Sequence, residues 1–225
     1  YKMSFLNMIL NKQFQKISSL LLAIFIQLFI ATIYTIPWDN MLVYTNSWSY
    51  SPGRVLFSIG YVPIEEYMFF GLDALIVCGI FLISFKNIHI EKQDYYKNYF
   101  NIGIASMNIG ILFMIIGFIM LLSPYFYLAS IILWSTPVIS FQLWWDVNTI
   151  RYYTKPLFNC VITSTVYLTM VDHWAIEKGI WTIENSLFDI YSGMPFEECL
   201  FFFVTSIMCA FGFLLTLTTL NIEIN

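Results

Sequence analysis

The sequence predicts an all-α membrane protein, a bundle of six to seven transmembrane helices built from two parallel repeats. Three observations carry that prediction. The 225 residues are 59% hydrophobic and only 11% charged, against about 25% charged for a soluble domain. The apolar residues gather into six runs of about 20, the length that crosses a hydrocarbon core. One stretch also occurs twice, as Pro-Ile-Glu-Glu-Tyr-Met-Phe-Phe at 63–70 and as Pro-Phe-Glu-Glu-Cys-Leu-Phe-Phe at 195–202. Pro63, Glu65, Glu66, Phe69 and Phe70 are thereby matched by Pro195, Glu197, Glu198, Phe201 and Phe202.

Taken in order, residues 1–17 mix Lys2, Lys12 and Lys16 with a short apolar patch. The first span covers 17–36 and stops at Pro37-Trp38-Asp39. An aromatic loop follows, with Tyr44, Trp48, Tyr50, Pro52 and Arg54. The second span runs 63–85, opened by a proline whose fixed φ suits a first helical turn. A charged loop from Lys86 to Lys97 leads to a third span at 102–122, and Ser123-Pro124 turns the chain into a fourth at 125–144. Arg151 and Lys155 precede the fifth span, 157–176, and the loop 177–193 leads to the sixth, 195–220.

The repeat is wider than the glutamates. Asp39 and Asp172 are 133 residues apart, as are Trp48 and Trp181, while the glutamate pairs are 132 apart. Each unit reads helix, aspartate, loop with tryptophan, Pro-x-Glu-Glu, helix. The chain is thus one transmembrane domain over 1–225, with repeat one at 17–85, a connecting helix at 102–122 and repeat two at 125–220. A shift of four spans gives both copies the same orientation about an axis along the membrane normal, so both glutamate pairs face one side. Eight basic residues (Lys2, Lys12, Lys16, Lys86, Lys92, Lys97, Arg151, Lys155) fall on the other side and two (Arg54, Lys178) on the glutamate side. By the positive-inside rule the C-terminus is cytoplasmic.

Composition excludes several classes. No basic stripe exists to neutralise phosphates, so nucleic acid is not a partner. Cys78, Cys160, Cys199 and Cys209 lie in or at the mouth of apolar runs without metal-ligand spacing, and no metal site is expected. No Gly-x-Gly-x-x-Gly marks a flavin or nicotinamide cofactor. The last span carries no lysine for a retinal Schiff base.

Glutamates at the mouth of a membrane helix are costly. Each has a phenylalanine at i+4 on its own face, so a carboxylic acid beside a dry aromatic cavity is the chemistry this pattern fits: protonation of something apolar, with ring faces ready for a cation. The blander reading, capping glutamates in an interfacial aromatic belt, is weakened by the duplication. Asp73 lies on nearly the same face as Glu66 and about 10 Å deeper; repeat two has Thr205 there. His173 follows Asp172 as a hydrogen-bonding residue, and Trp134, Trp144 and Trp145 either close the cavity or belong to a belt.

The stretches Pro37-Trp38-Asp39-Asn40, 60–70 with its Pro63-Ile64-Glu65-Glu66, Gly179-Ile180-Trp181 and Pro195-Phe196-Glu197-Glu198 resemble the membrane-integral lycopene cyclase family, above all the cyclase half of the fungal-type bifunctional lycopene cyclase/phytoene synthase. The family's usual count of about seven spans implies a first helix truncated here. The resemblance implies redox-neutral cyclisation of the acyclic ends of lycopene or γ-carotene to β-ionone rings, with Glu65, Glu66, Glu197 and Glu198 catalytic. Asp39, Trp48, Pro63, Phe69, Phe70, Asp73, Asp172, Trp181, Pro195, Phe201 and Phe202 are then expected to bind substrate or support the site, in contact with the lipid bilayer and without a cofactor. A phytoene synthase domain fused C-terminally is a further implied partner. A proton- or cation-coupled transporter and a non-catalytic subunit of a carotenoid-making complex stay open as alternatives.

Overall fold

A computed structural model describes residues 2–51, 53–90, 97–183 and 186–222. Pro52 and Lys92 lie outside the described residues, as do the side chains of Lys2, Lys12 and Lys97. The described chain is an all-α membrane protein with six helices, joined at one end by short strands. Five of the helices are long and apolar enough to span a membrane. The exception, α5 (Thr154–Glu177), has the length but a more polar sequence, and it packs against its neighbours within the bundle.

Helix α1 runs Lys2–Tyr44 and passes straight through Pro37, where the sequence predicts a stop. Proline removes one backbone hydrogen bond and crowds the preceding turn. That cost is offset here because the turn beyond it is held by burial of Trp38, Asp39 and Leu42. The Asn40 amide also donates back to the Ile36 carbonyl (2.9 Å). Helix α2 (Ile64–Ser84) starts after Pro63 and α6 (Phe196–Thr219) after Pro195, as the motif predicts. Helix α3 is Lys97–Met120. Helix α4 (Phe126–Tyr152) outlasts its expected end through a kink at Asp146. The Asp146 carboxylate accepts from the Thr149 N–H (3.0 Å) and hydroxyl (2.7 Å), an N-cap that restarts the helix.

Helices α1, α2, α5 and α6 surround one axis, with α1 against α2 and α6, and α5 against α2 and α6. Residues equivalent in the two sequence units meet on that axis at both ends. At the loop end, β1 (Trp48–Tyr50) pairs antiparallel with β4 (Trp181–Ile183), Ser49 opposite Thr182, and their hydroxyls hydrogen-bond at 3.0 Å. At the far end Phe81 and Phe213 meet edge to face, ring centroids 5.0 Å apart. A pseudo-twofold axis running from Ser49 and Thr182 down to Phe81 and Phe213 accounts for both meetings. The far end is the driest part of the core, with Phe81, Phe85, Phe213 and Leu214 fully buried.

Two hairpins continue the pattern: β2 (Ser58–Ile59) with β3 (Val62–Pro63), and β5 (Asp189–Tyr191) with β6 (Met194–Pro195). Gly60 turns the first at φ +67°, and a Cβ there would lie 2.5 Å from Asn40 Oδ1, the atom that accepts the Tyr61 N–H. Both left-handed backbone and close approach require glycine at this position.

Helix α3 stands outside the fourfold core and packs on α4. Gly103, Gly110 and Gly117 recur every seventh residue on the contact face, the small-residue device that brings membrane helices close. A Cβ at Gly110 would lie 2.1 Å from Ser140 Oγ and 2.9 Å from Ser140 Cβ. Gly110→Val is therefore expected to lower stability by about 1–3 kcal/mol through overpacking, read as a drop in melting temperature in detergent. Partial recovery in the double variant with Ser140→Gly is the matching expectation, and an unchanged melting temperature for Gly110→Val would contradict this packing.

Candidate active site

Strand alternation makes the β1/β4 pair a lid. Ser49 and Thr182 point outward, while Trp48, Tyr50, Trp181 and Ile183 point down into a cavity between the helices. Asp39 from α1, Glu66 from α2, Asp172 from α5 and Glu198 from α6 enter the same cavity, one carboxyl from each helix of the fourfold core. Phe69, Phe70, Phe201 and Phe202 complete its apolar walls, with Trp38 and Tyr127. The cavity holds about 30 Å³, room for roughly one or two waters. No lysine or arginine lines it, and no group of three His, Cys, Asp or Glu among the described residues is arranged to hold a metal ion.

The paired glutamates part company. Glu66 and Glu198 face the cavity; Glu65 and Glu197 face the loops. Glu65 Oε1 accepts the Leu56 N–H (2.8 Å) and Glu197 Oε1 accepts the Leu187 N–H (2.7 Å). Residues adjacent at a helix start project about 100° apart, so a pair cannot send both carboxyls to one place. Of the four glutamates expected to be catalytic, the structure brings Glu66 and Glu198 together in the cavity, while Glu65 and Glu197 tie the loops to the helix starts. Pro63 and Pro195 are buried N-caps of α2 and α6 and do not line the cavity. Asp73 is buried one layer below, one carboxyl oxygen without a hydrogen-bond partner, and it too lies outside the cavity lining.

Each cavity carboxyl has its own surroundings. Glu198 accepts a hydrogen bond from the buried Tyr127 hydroxyl (2.5 Å). Asp172 accepts the Trp181 indole N–H at 3.1 Å. The Tyr50 hydroxyl accepts the Trp48 indole N–H (3.1 Å) and shares the cavity with Glu66. Burial, and behind it the charges of Glu66 and Asp39, push the Tyr50 hydroxyl above the usual tyrosine range, so it stays protonated as a donor. Asp39 is fully buried, and neither of its carboxyl oxygens has a hydrogen-bond partner.

Sequence reasoning missed both tyrosines. Tyr127 lies on α4, outside the core of the repeat, and has no counterpart to draw attention to it. Tyr50 does have a counterpart, Ile183, which erases the match. Trp134, open between a cavity residue and a belt in the sequence, is buried behind the cavity lining: its ring stacks on Trp38 at 4.7 Å and leans on Phe201 at 5.6 Å. Trp144 and Trp145 are exposed on the flank of α4. His173 meets Glu177 (3.5 Å) and the Tyr191 ring, away from the cavity.

No protein-family model and no solved structure matches the chain. Among curated proteins it is similar to a lycopene beta-cyclase of Halobacterium salinarum, 30% identical over 199 residues that cover 84% of this chain and 80% of that one. It is also similar to bifunctional lycopene cyclase/phytoene synthases, 28% identical in Sporisorium reilianum over 80% of this chain and 30% in Phycomyces blakesleeanus over 78%. The chain spans only about a third of those fungal proteins (28% and 31%). Matched at 30% identity along four fifths of the archaeal protein, the chain belongs to the lycopene cyclase family.

Proposed function

We propose that the chain is a lycopene β-cyclase that closes the acyclic ends of lycopene or γ-carotene by proton transfer. The observation that carries this reading is the meeting of Glu66 and Glu198, repeat equivalents, across one aromatic cavity. A carboxyl of this pair delivers a proton to the terminal double bond of the polyene, leaving a tertiary cation. The π electrons of the nearby internal double bond attack that cation and close the six-membered ring. Loss of a proton next to the new cationic carbon, taken by the opposite carboxylate, forms the ring double bond and restores neutrality. One proton enters and one leaves, so the substrate is isomerised and no oxidant, reductant or redox cofactor is required.

The aromatic rings are suited to the cationic stage. Trp38, Phe69, Phe201 and Phe202 line the cavity, and a cation over the face of such a ring gains about 0.5–2 kcal/mol per favourable contact. Tyr127 holds Glu198 in place by its hydrogen bond, Tyr50 faces Glu66 across the cavity, and Asp39, free of hydrogen bonds, carries the returning proton between the glutamates. A transporter built on inverted or parallel repeats uses helices broken near the midplane; α2 and α6 are continuous, which favours the cyclase. The bias of basic residues supports a cytoplasmic C-terminus, the side on which a fused synthase domain would follow. The test is expression in a lycopene-accumulating cell: β-ring products by chromatography are expected, and unchanged lycopene with a correctly inserted protein overturns the proposal.

A further inference from the structure

The carboxyl cavity is far too small for a polyene, and a second space adjoins it. We infer that the groove between α1, α4 and α6 seats the extended apolar chain of the substrate while its end reacts among the carboxyls, an inference that rests on the cyclase reading. The groove encloses about 660 Å³, well within the range of small-molecule sites. Its walls run along α1 from Ile26 to Thr35, along α4 from Trp134 to Trp145 and along α6 from Thr205 to Leu220. At the helical rise these stretches are roughly 14, 17 and 22 Å long, at least about half of the ~30 Å hydrocarbon thickness.

The groove begins where the cavity ends. On α1, Trp38 lines the cavity and Tyr34, one turn away, lines the groove; on α6 the same holds for Phe201 and Thr205. Between the two spaces stands the Trp134 ring, stacked on Trp38 at 4.7 Å and on Tyr34 at 5.9 Å. Its indole N–H is buried without a hydrogen-bond partner, so no such bond fastens the ring in its closed position. Rotating it joins groove and cavity into one channel. The groove wall carries no charged side chain, and Gln142 spends its amide N–H on the Met208 carbonyl (2.9 Å). A long hydrocarbon without a head group fits such walls, and the direct run into the carboxyl cavity selects a polyene with a reactive end over a lipid acyl chain.

The experiment uses the full chain in detergent with lycopene as the probe. Ala31→Phe and Val138→Phe place bulk inside the groove; Ile115→Phe, exposed on α3, is the bulk control. Each groove variant is expected to retain at least tenfold less lycopene than wild type by visible absorption and to form at least tenfold less product, at unchanged helical content, with the control like wild type. Because a filled groove can impair folding, Phe141→p-benzoylphenylalanine, at an exposed groove position, supplies a second reading: irradiation is expected to attach lycopene there and not at Ile115. Groove variants that fold and bind lycopene like wild type, or a crosslink only to lipid, overturn the inference while leaving the cyclase reading intact. Lycopene seated in the groove without any ring formation by wild type sinks the cyclase reading alone.

Discussion

Glu66→Gln and Glu198→Gln are each expected to abolish ring formation, while Glu65→Gln and Glu197→Gln are expected to leave most of it. The two outcomes follow from what each carboxyl touches. Glutamine has nearly the shape of glutamic acid but neither gives nor takes a proton at working pH, so at the cavity positions the loss is that of general acid–base catalysis, about 10²–10⁴-fold. Glu65 and Glu197 stand outside the cavity lining and accept the Leu56 and Leu187 N–H groups, and the amide oxygen of glutamine accepts equally well. Their rates are expected within about threefold of wild type, since the lost charge assistance is worth little beyond a neutral hydrogen bond. Alanine at the same two positions is a sharper probe. It strands a backbone donor and should cost about 1–3 kcal/mol at the buried Glu197, with less at the exposed Glu65. The measurement is β-ring yield per inserted protein, beside the melting temperature in detergent. Equal losses for Glu197→Gln and Glu198→Gln would remove the distinction on which the site is built.

That distinction is where sequence reading reached its limit. Pattern and spacing gave the helices, the duplicated unit and the side of the bundle on which the carboxyls gather, because apolar length and internal repetition are one-dimensional properties. Which member of each Glu-Glu pair turns inward depends on the rotation of α2 and α6 about their axes, and that is set by packing. Pro37 misled for a similar reason: its local penalty is real, yet tertiary burial of Trp38 and Leu42 outweighs it. The three small sheets were invisible because two- and three-residue strands lack a period to detect. Once β1 and β4 are seen paired, the tryptophan spacing of 133 residues acquires a reason, since Ser49 and Thr182 sit on the axis and Trp48 and Trp181 stand one residue to either side of it. Tyr127 had no such route to discovery, because it comes from α4, which has no counterpart in repeat one.

Asp39→Asn is expected to make the protein more stable and much less active. Asp39 is fully buried, without a hydrogen bond to either oxygen, beside Glu66, Asp172 and Glu198 and with no lysine or arginine in the cavity wall. A fold gains nothing from such a side chain: ionised it is an unpaired buried charge, and protonated it leaves its polar atoms unbonded. Asparagine keeps the volume and cannot ionise, which should raise stability by about 0.5–2 kcal/mol, the gain common when a single destabilising position is relieved. Proteins keep destabilising groups of this kind where activity needs them. If Asp39 returns the proton between Glu66 and Glu198, its loss leaves one carboxyl unable to recover its starting state, and turnover should fall about 10²-fold while a single burst of product survives. Asp172→Asn is the control, because Asp172 already accepts the Trp181 indole N–H at 3.1 Å and therefore gives a smaller gain in stability. Melting temperature and product yield against time separate the possibilities. A destabilised Asp39→Asn protein would make Asp39 a structural partner after all, and a stabilised one with full turnover would take it out of the proton path.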